Sequence, residues 1–147
     1  MAKKPSKIIG DKFFDNRGSV SFINKFDFPN IKRFYILENY DINYIRAWHA
    51  HKKEEKFFTC VSGSCQISCV QVKNFKQPNK KSKIYSWVLT AEKPEIIYVP
   101  KSYANGTMNL SHGTKILVFS TSTLKNSLQD DFRYDHKYWD PWEIKKR

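Results

Sequence analysis

Arg46-Ala47-Trp48-His49-Ala50-His51-Lys52-Lys53-Glu54-Glu55-Lys56, running on into Phe57–Val61 and the turn Ser62-Gly63-Ser64, is the stretch that decides the fold. It holds two of the four histidines, one residue apart. On an extended strand, side chains two positions apart share a face. His49 and His51 are therefore expected to point one way, and Trp48 and Ala50 the other. Two imidazoles converging on one surface, with Arg46 and Lys56 close by, suggest a site rather than a packing surface.

Outward from this stretch, the chain reads as a succession of short strands. Ser62-Gly63-Ser64 is expected to be a hairpin turn leading into Cys65–Val72. Upstream, Asp15-Asn16-Arg17-Gly18 is a turn signal, because Asp and Asn bond locally and Gly supplies unusual backbone angles. Ser19–Ile23, Ile31–Leu37 and Tyr44–His51 follow as strands. Downstream come Ile84–Leu89, Glu95–Val99 (stopped by Pro100) and Lys115–Ser120. Tyr103-Ala104-Asn105-Gly106 reads as a further turn, and Ser122–Asp131 as the best place for a short helix. Roughly eight to ten strands at close spacing point to an all-β sandwich or barrel.

The chain has 147 residues, which is one domain's worth. The expected boundaries are a flexible N-terminus over 1–7, the domain over 8–142 and a basic tail over 143–147. Aromatic residues make up 16% of a chain that is 40% hydrophobic, and rings pack well on pleated sheets. The formal net charge of +12 suits an anionic partner or a solvated basic surface. The lysines are spread out (Lys3, Lys4, Lys7; Lys80, Lys81, Lys83; Lys145, Lys146), and no basic-aromatic motif accompanies them, which argues against nucleic acid. Cys60, Cys65 and Cys69 contain no C-x-x-C pair, as expected of reduced thiols in a cytoplasmic protein. Met1–Asp11 lacks the apolar core of a signal peptide, and no run is long enough to span a membrane.

His49-x-His51 with Glu55 four residues on, then a strand and Gly63, resembles the first cupin motif. Ile96-Ile97-Tyr98-Val99-Pro100, ending on Asn105, resembles the second, with Asn105 where a histidine is usual. More narrowly, Asp15-Asn16-Arg17-Gly18, Arg46-Ala47-Trp48-His49 and Tyr138-Trp139-Asp140-Pro141 resemble motifs of the dTDP-4-dehydrorhamnose 3,5-epimerases. The run Arg46–Lys53 is closer still to the WxcM-like dTDP-sugar 3,4-ketoisomerases. The resemblance spans about residues 8–142. It implies a single-domain cupin, that is, a double-stranded β-helix or jelly-roll barrel with a short C-terminal extension. It also implies a homodimer, in which an arginine such as Arg17 reaches the neighbour's site.

The chemistry implied is isomerisation or epimerisation of a nucleotide-linked 4-keto-6-deoxysugar in deoxysugar and surface-polysaccharide synthesis. A base removes the proton beside the carbonyl, and an acid returns a proton elsewhere. Histidine, with an ordinary pKa of about 6.5, suits the base. A fixed cation suits the enolate oxygen. His49 is assigned as base, His51 as second proton carrier or sugar ligand, and Lys56 as enolate stabiliser. Arginine grips diphosphate bidentately, so Arg17 and Arg46 are the phosphate candidates. Phe22, Tyr35 and Trp48 are candidate faces for the base, Asn105 a candidate for a sugar hydroxyl, and Tyr103 a candidate proton donor. With the second-motif histidine absent, no metal and no cofactor is expected of His49, His51 and Glu55. Phe119 stands in the strand where the epimerases carry a catalytic tyrosine. Together with Asn105 it motivates an alternative, a non-catalytic nucleotide-sugar-binding cupin.

Overall fold

The computed structural model describes residues 3–143. Two five-stranded antiparallel sheets face one another. The first runs β1 (Ser6–Ile9), β9 (Glu95–Val99), β6 (Lys56–Ser62), β11 (Lys115–Ser120) and β4 (Arg33–Leu37). The second runs β12 (Phe132–Arg133), β5 (Ile45–Ala50), β10 (Tyr103–Asn109), β7 (Ser64–Gln71) and β8 (Ile84–Thr90). A separate ribbon, β2 (Asp11–Asp15) with β3 (Gly18–Phe22), pairs with neither sheet. The one helix among the described residues, α1 (Leu124–Leu128), starts where the Thr123 hydroxyl accepts the Asn126 amide at 3.2 Å. This is the expected all-β jelly roll.

Alternation along each strand divides the apolar residues between two destinations. Phe58, Cys60, Cys65, Ile67, Cys69, Leu89, Ile97, Val99, Ile116 and Val118 fill the space between the sheets. The outer face of the second sheet carries Trp48, Ala50, Val70, Val72, Ala104 and Met108, sealed by Trp139 and Trp142 from the C-terminal segment. On the outer face of the first sheet, Phe57 and Ile96 pack with Phe26. All three cysteines are free and buried.

Three expectations are corrected. Tyr103–Gly106 is not a turn but the start of β10, a central strand buried along its whole length. Gly106 is needed there for close approach, since a Cβ would come within 2.7 Å of Ala47 and 2.8 Å of the Trp142 ring. Ser62-Gly63-Ser64 turns the chain but does not close a hairpin, because β6 and β7 belong to opposite sheets. Gly63 has φ +74°, and an added side chain would run into Thr114 and Ser111. Pairing also begins inside the segment expected to be frayed, with Ser6 and Lys7 opposite Tyr98 and Ile97. Of the basic tail, positions 144–147 lie outside the described residues. No helix among the described residues is long and apolar enough to cross a membrane.

Candidate active site

Between the sheets, the apolar filling gives way to polar groups at one end of the barrel. Arg33 and Tyr35 come from β4, His49 from β5, Lys56 from β6, Asn105 from β10 and Arg133 from β12. The register fixes this. His49 lies opposite Asn105 on one side and Arg133 on the other, and Lys56 lies opposite Val99 and Ser120.

His49 points inward and Trp48 outward, as the alternation requires. The His49 side chain is 33% exposed, with Nδ1 4.0 Å from the Asp131 carboxylate. Burial, then the charges of Lys56 and Arg133, push its pKa down to about 4. The ring is neutral at physiological pH and able to accept a proton. Asn105 donates its amide to the His49 carbonyl at 3.0 Å, fixing the strand at this point.

His51 shares the inward direction but is only 4% exposed. Its Nδ1 lies 2.5 Å from the Asp130 carbonyl, and its Nε2 is 3.5 Å from Glu54. Burial and the Lys56 charge lower its pKa. Both ring nitrogens face protein groups, Nδ1 the Asp130 carbonyl and Nε2 the Glu54 carboxylate. Lys56 is buried, with Nζ 3.4 Å from Glu54 and 6.0 Å from the centre of the Tyr35 ring. The Arg33 guanidinium lies over the same ring at 4.9 Å.

Of the two adjacent glutamates, the wrong one stands out in the sequence. Glu55 turns outward, where it accepts from the Tyr98 hydroxyl at 2.6 Å and the Lys101 amide at 3.3 Å. Glu54 is the one that enters the site. The chain leaves β5 after Ala50, so strand alternation does not extend to either glutamate. Asp130 sets the loop instead, accepting the backbone amides of Lys52, Lys53 and Glu54 at 2.8, 2.9 and 3.2 Å. With Glu55 turned away, the three donors expected of a cupin metal site are not gathered. No group of three or more metal-ligating side chains occurs among the described residues.

The expected substrate contacts divide. Tyr35 and Asn105 reach the polar end of the barrel. Tyr103 also faces inward, beside Tyr85, and burial raises its pKa. It lines a cleft of about 740 Å3 together with Lys53, Lys73, Phe75 and Lys101. Strict alternation would put Arg46 on the outer face, but the register shifts between Asn105 and Thr107, and Arg46 pairs with Thr107. The same shift keeps both arginine and histidine on the inner face. The Arg46 guanidinium donates to Asn39 at 2.5 Å and to the Glu38 carbonyl at 3.4 Å.

Arg17 is not brought to His49 within the chain. It sits at the tip of the β2–β3 ribbon, 85% exposed and paired with Asp15 at 2.6 Å. Trp48 is fully buried under the C-terminal segment and offers no face to a base. Phe22 and Phe119 line an apolar groove on the outer side of the first sheet. Phe119 packs on Phe26 and Phe28 at 5.3 Å. The inner residues of β11 are Ile116 and Val118, so Phe119 does not occupy a site position and its missing hydroxyl bears on nothing there. Arg33, Glu54, Asp130, Asp131 and Arg133 escaped sequence reasoning. Of these, only Asp130 and Asp131 lie in a stretch that the sequence singled out, Ser122–Asp131.

Several solved structures share this fold. A 3,4-ketoisomerase from Helicobacter canadensis is 23% identical, over 93% of this chain and 96% of its own, with a TM-score of 0.70. The WlaRB TDP-quinovose 3,4-ketoisomerase from Campylobacter jejuni is 27% identical, over 93% and 98%, with a TM-score of 0.67. A dTDP-4-dehydrorhamnose 3,5-epimerase from Bacillus anthracis, solved with TDP and PPi bound, is 17% identical, over 97% and 86%, with a TM-score of 0.75. No curated protein matches the sequence. The family model described as WxcM-like, C-terminal matches residues 6–140, nearly the whole barrel with its closing segment, and the chain belongs to that family.

Proposed function

We propose that the protein is a sugar-nucleotide isomerase that interconverts the 3- and 4-keto forms of a nucleotide-linked 6-deoxysugar, with dTDP as the nucleotide. The observation that carries this reading is the half-exposed, neutral His49 facing inward beside Lys56 and Tyr35. Membership of the WxcM-like family and the 27% identity to a TDP-quinovose 3,4-ketoisomerase support it.

In this mechanism the free Nε2 of His49 takes the proton from C3 of a 4-keto sugar. The C3–H electron pair moves into a C3–C4 double bond, and the C4 oxygen becomes the enolate. Lys56 and Tyr35 hold the two sugar oxygens as O4 gains a proton and O3 gives one up. The part-exposed His49 ring exchanges this proton with solvent and then delivers a proton to C4, which leaves the ketone at C3. Hydrogen moves only as protons, so no redox cofactor is required. Phe119 faces outward, which supports the isomerase reading over a protein that only binds; the other ground for that alternative, Asn105 in place of a histidine, is left to the turnover assay. The activity belongs in the cytoplasm, in deoxysugar synthesis for surface polysaccharide.

Arg17 serves the neighbouring protomer in this reading. The ribbon that carries it exposes Phe13 (58%), Phe14 (67%) and Val20 (60%), an apolar surface suited to a second copy. Light scattering is expected to give a dimer. Arg17→Ala is expected to raise KM for the nucleotide sugar about 10–100-fold, the worth of a lost charge-assisted contact. A monomer with unchanged KM contradicts this.

The reading as a whole is tested by following dTDP-4-keto-6-deoxyglucose and its epimers by proton NMR. A 3-keto product supports it, a C5 epimer identifies an epimerase instead, and binding without turnover identifies a binding protein.

A further inference from the structure

Glu54 is the most completely buried charged side chain at the polar end of the barrel, with a side-chain exposure of 0%. Three side chains from different parts of the chain surround its carboxylate. Arg33 from β4 lies at 3.6 Å, Lys56 from β6 at 3.4 Å and His51 Nε2 at 3.5 Å. The Asp130 carbonyl can only accept, so the close contact at His51 Nδ1 places a proton on that nitrogen. A neutral His51 ring then presents its lone pair at Nε2, and that atom faces a carboxylate. The arrangement is favourable only when the ring is cationic or when Lys56 donates between the two.

Two cations, Arg33 and Lys56, would repel one another here without an anion between them. With Glu54 ionised, the group keeps one net positive charge, presented toward Tyr35 and the His49 side of the barrel. That is the charge a developing enolate needs.

From this geometry we infer that Glu54 is a positioning residue: it holds the Lys56 ammonium at the reacting sugar oxygen and stabilises the cationic form of the His51 ring. This rests on the isomerase reading for its catalytic consequence, but not for its effect on His51. The charged and titratable groups around His51 and Lys56 are Arg33 and Tyr35 from β4, His49 from β5, Glu54 from the loop, and Asp130, Asp131 and Arg133 from the segment after α1. Only Glu54 lies against both side chains with an ionisable oxygen at 3.4–3.5 Å.

The experiment is Glu54→Gln and Glu54→Asp in the full chain, with the His51 ring titrated by 15N NMR. Removing the anion beside Nε2 destabilises the imidazolium, so the His51 midpoint is expected to fall in Glu54→Gln and to stay close to wild type in Glu54→Asp. In the turnover assay, Glu54→Gln is expected to lower kcat about 10–100-fold, with KM within about threefold, because the misplaced cation is felt in the transition state. Glu54→Asp is expected to restore part of the loss. An unchanged His51 midpoint in Glu54→Gln overturns the assignment, and so does wild-type kcat in that variant. If the wild-type protein turns over no keto sugar, the isomerase reading fails by itself and the His51 midpoint still decides the role of Glu54.

Discussion

His49→Gln is expected to lower kcat for the keto-sugar isomerisation by about 10²–10⁴-fold, the usual contribution of a positioned general base. The amide keeps the size of the ring and some of its hydrogen bonding, so the melting temperature should stay near wild type. The His49 side chain is part-exposed, and the ion pair it makes is the long one to Asp131 at 4.0 Å; the Asn105 bond is to its backbone carbonyl and survives the change. The pH profile gives a second view of the same residue. The base acts in its neutral form, so activity rises as pH climbs through its pKa. In the free protein that pKa is pushed down to about 4, through burial and the charges of Lys56 and Arg133. The acid limb of kcat/KM is therefore expected near pH 4 and not near 6.5. A bound nucleotide diphosphate offsets the field of Lys56 and Arg133. The acid limb of kcat, which reports the complex, is expected to lie at higher pH than that of kcat/KM. Limbs at the same pH would mean that the diphosphate sits away from these cations.

Trp48→Ala is expected to cost about 3–5 kcal/mol of stability, the range for deleting a large buried aromatic. Trp48 is fully buried and packs against Trp139 and Trp142, with ring centres 5.4 and 5.3 Å away. Its indole N–H donates to the carbonyls of Trp139 and His136 at 3.0 and 3.2 Å. Truncation leaves a cavity and also unties the segment that closes the second sheet. The loss is a large part of a typical net stability of about 5–15 kcal/mol, and thermal melting should show a fall on the order of 10 °C. Activity should fall as well. The Trp48 and Tyr134 backbones bond reciprocally at 3.0 and 3.1 Å, so loosening this contact displaces Asp131 and Arg133 from His49. A variant with wild-type melting would mean that the tail contributes little to the closed barrel.

The sheet was legible because most of its strands face the core on one side and alternate accordingly. Glu95–Val99 and Lys115–Ser120 fall where the pattern puts them, as do the opposite directions of Trp48 and His49. What failed has a common cause. β10 is buried on both faces, so Tyr103–Asn109 carries no alternation, and its Asn and Gly residues look like a turn. Glu54 and Glu55 lie beyond the strand, where periodicity cannot rank them and only the amides bonded to Asp130 do. Arg46 depends on a register shift that no local pattern announces. Arg33, Asp131 and Arg133 arrive from distant parts of the chain, and only the folded barrel brings them to one end. Phe119 lies on the outer face of β11 beside Phe26, and a short apolar run such as Ile116–Phe119 does not show which face each residue takes.

The central claim is that His49 moves a proton at the carbon beside the sugar carbonyl, and solvent deuterium exchange tests it most directly. Wild-type protein incubated with dTDP-4-keto-6-deoxyglucose in deuterated water is expected to give a 3-keto product carrying deuterium at C4, together with deuterium at C3 in recovered substrate. His49→Gln is expected to give neither at a comparable rate. Deuterium entering C3 equally fast in wild type and His49→Gln, or a product with no solvent hydrogen in the wild type, would contradict the account.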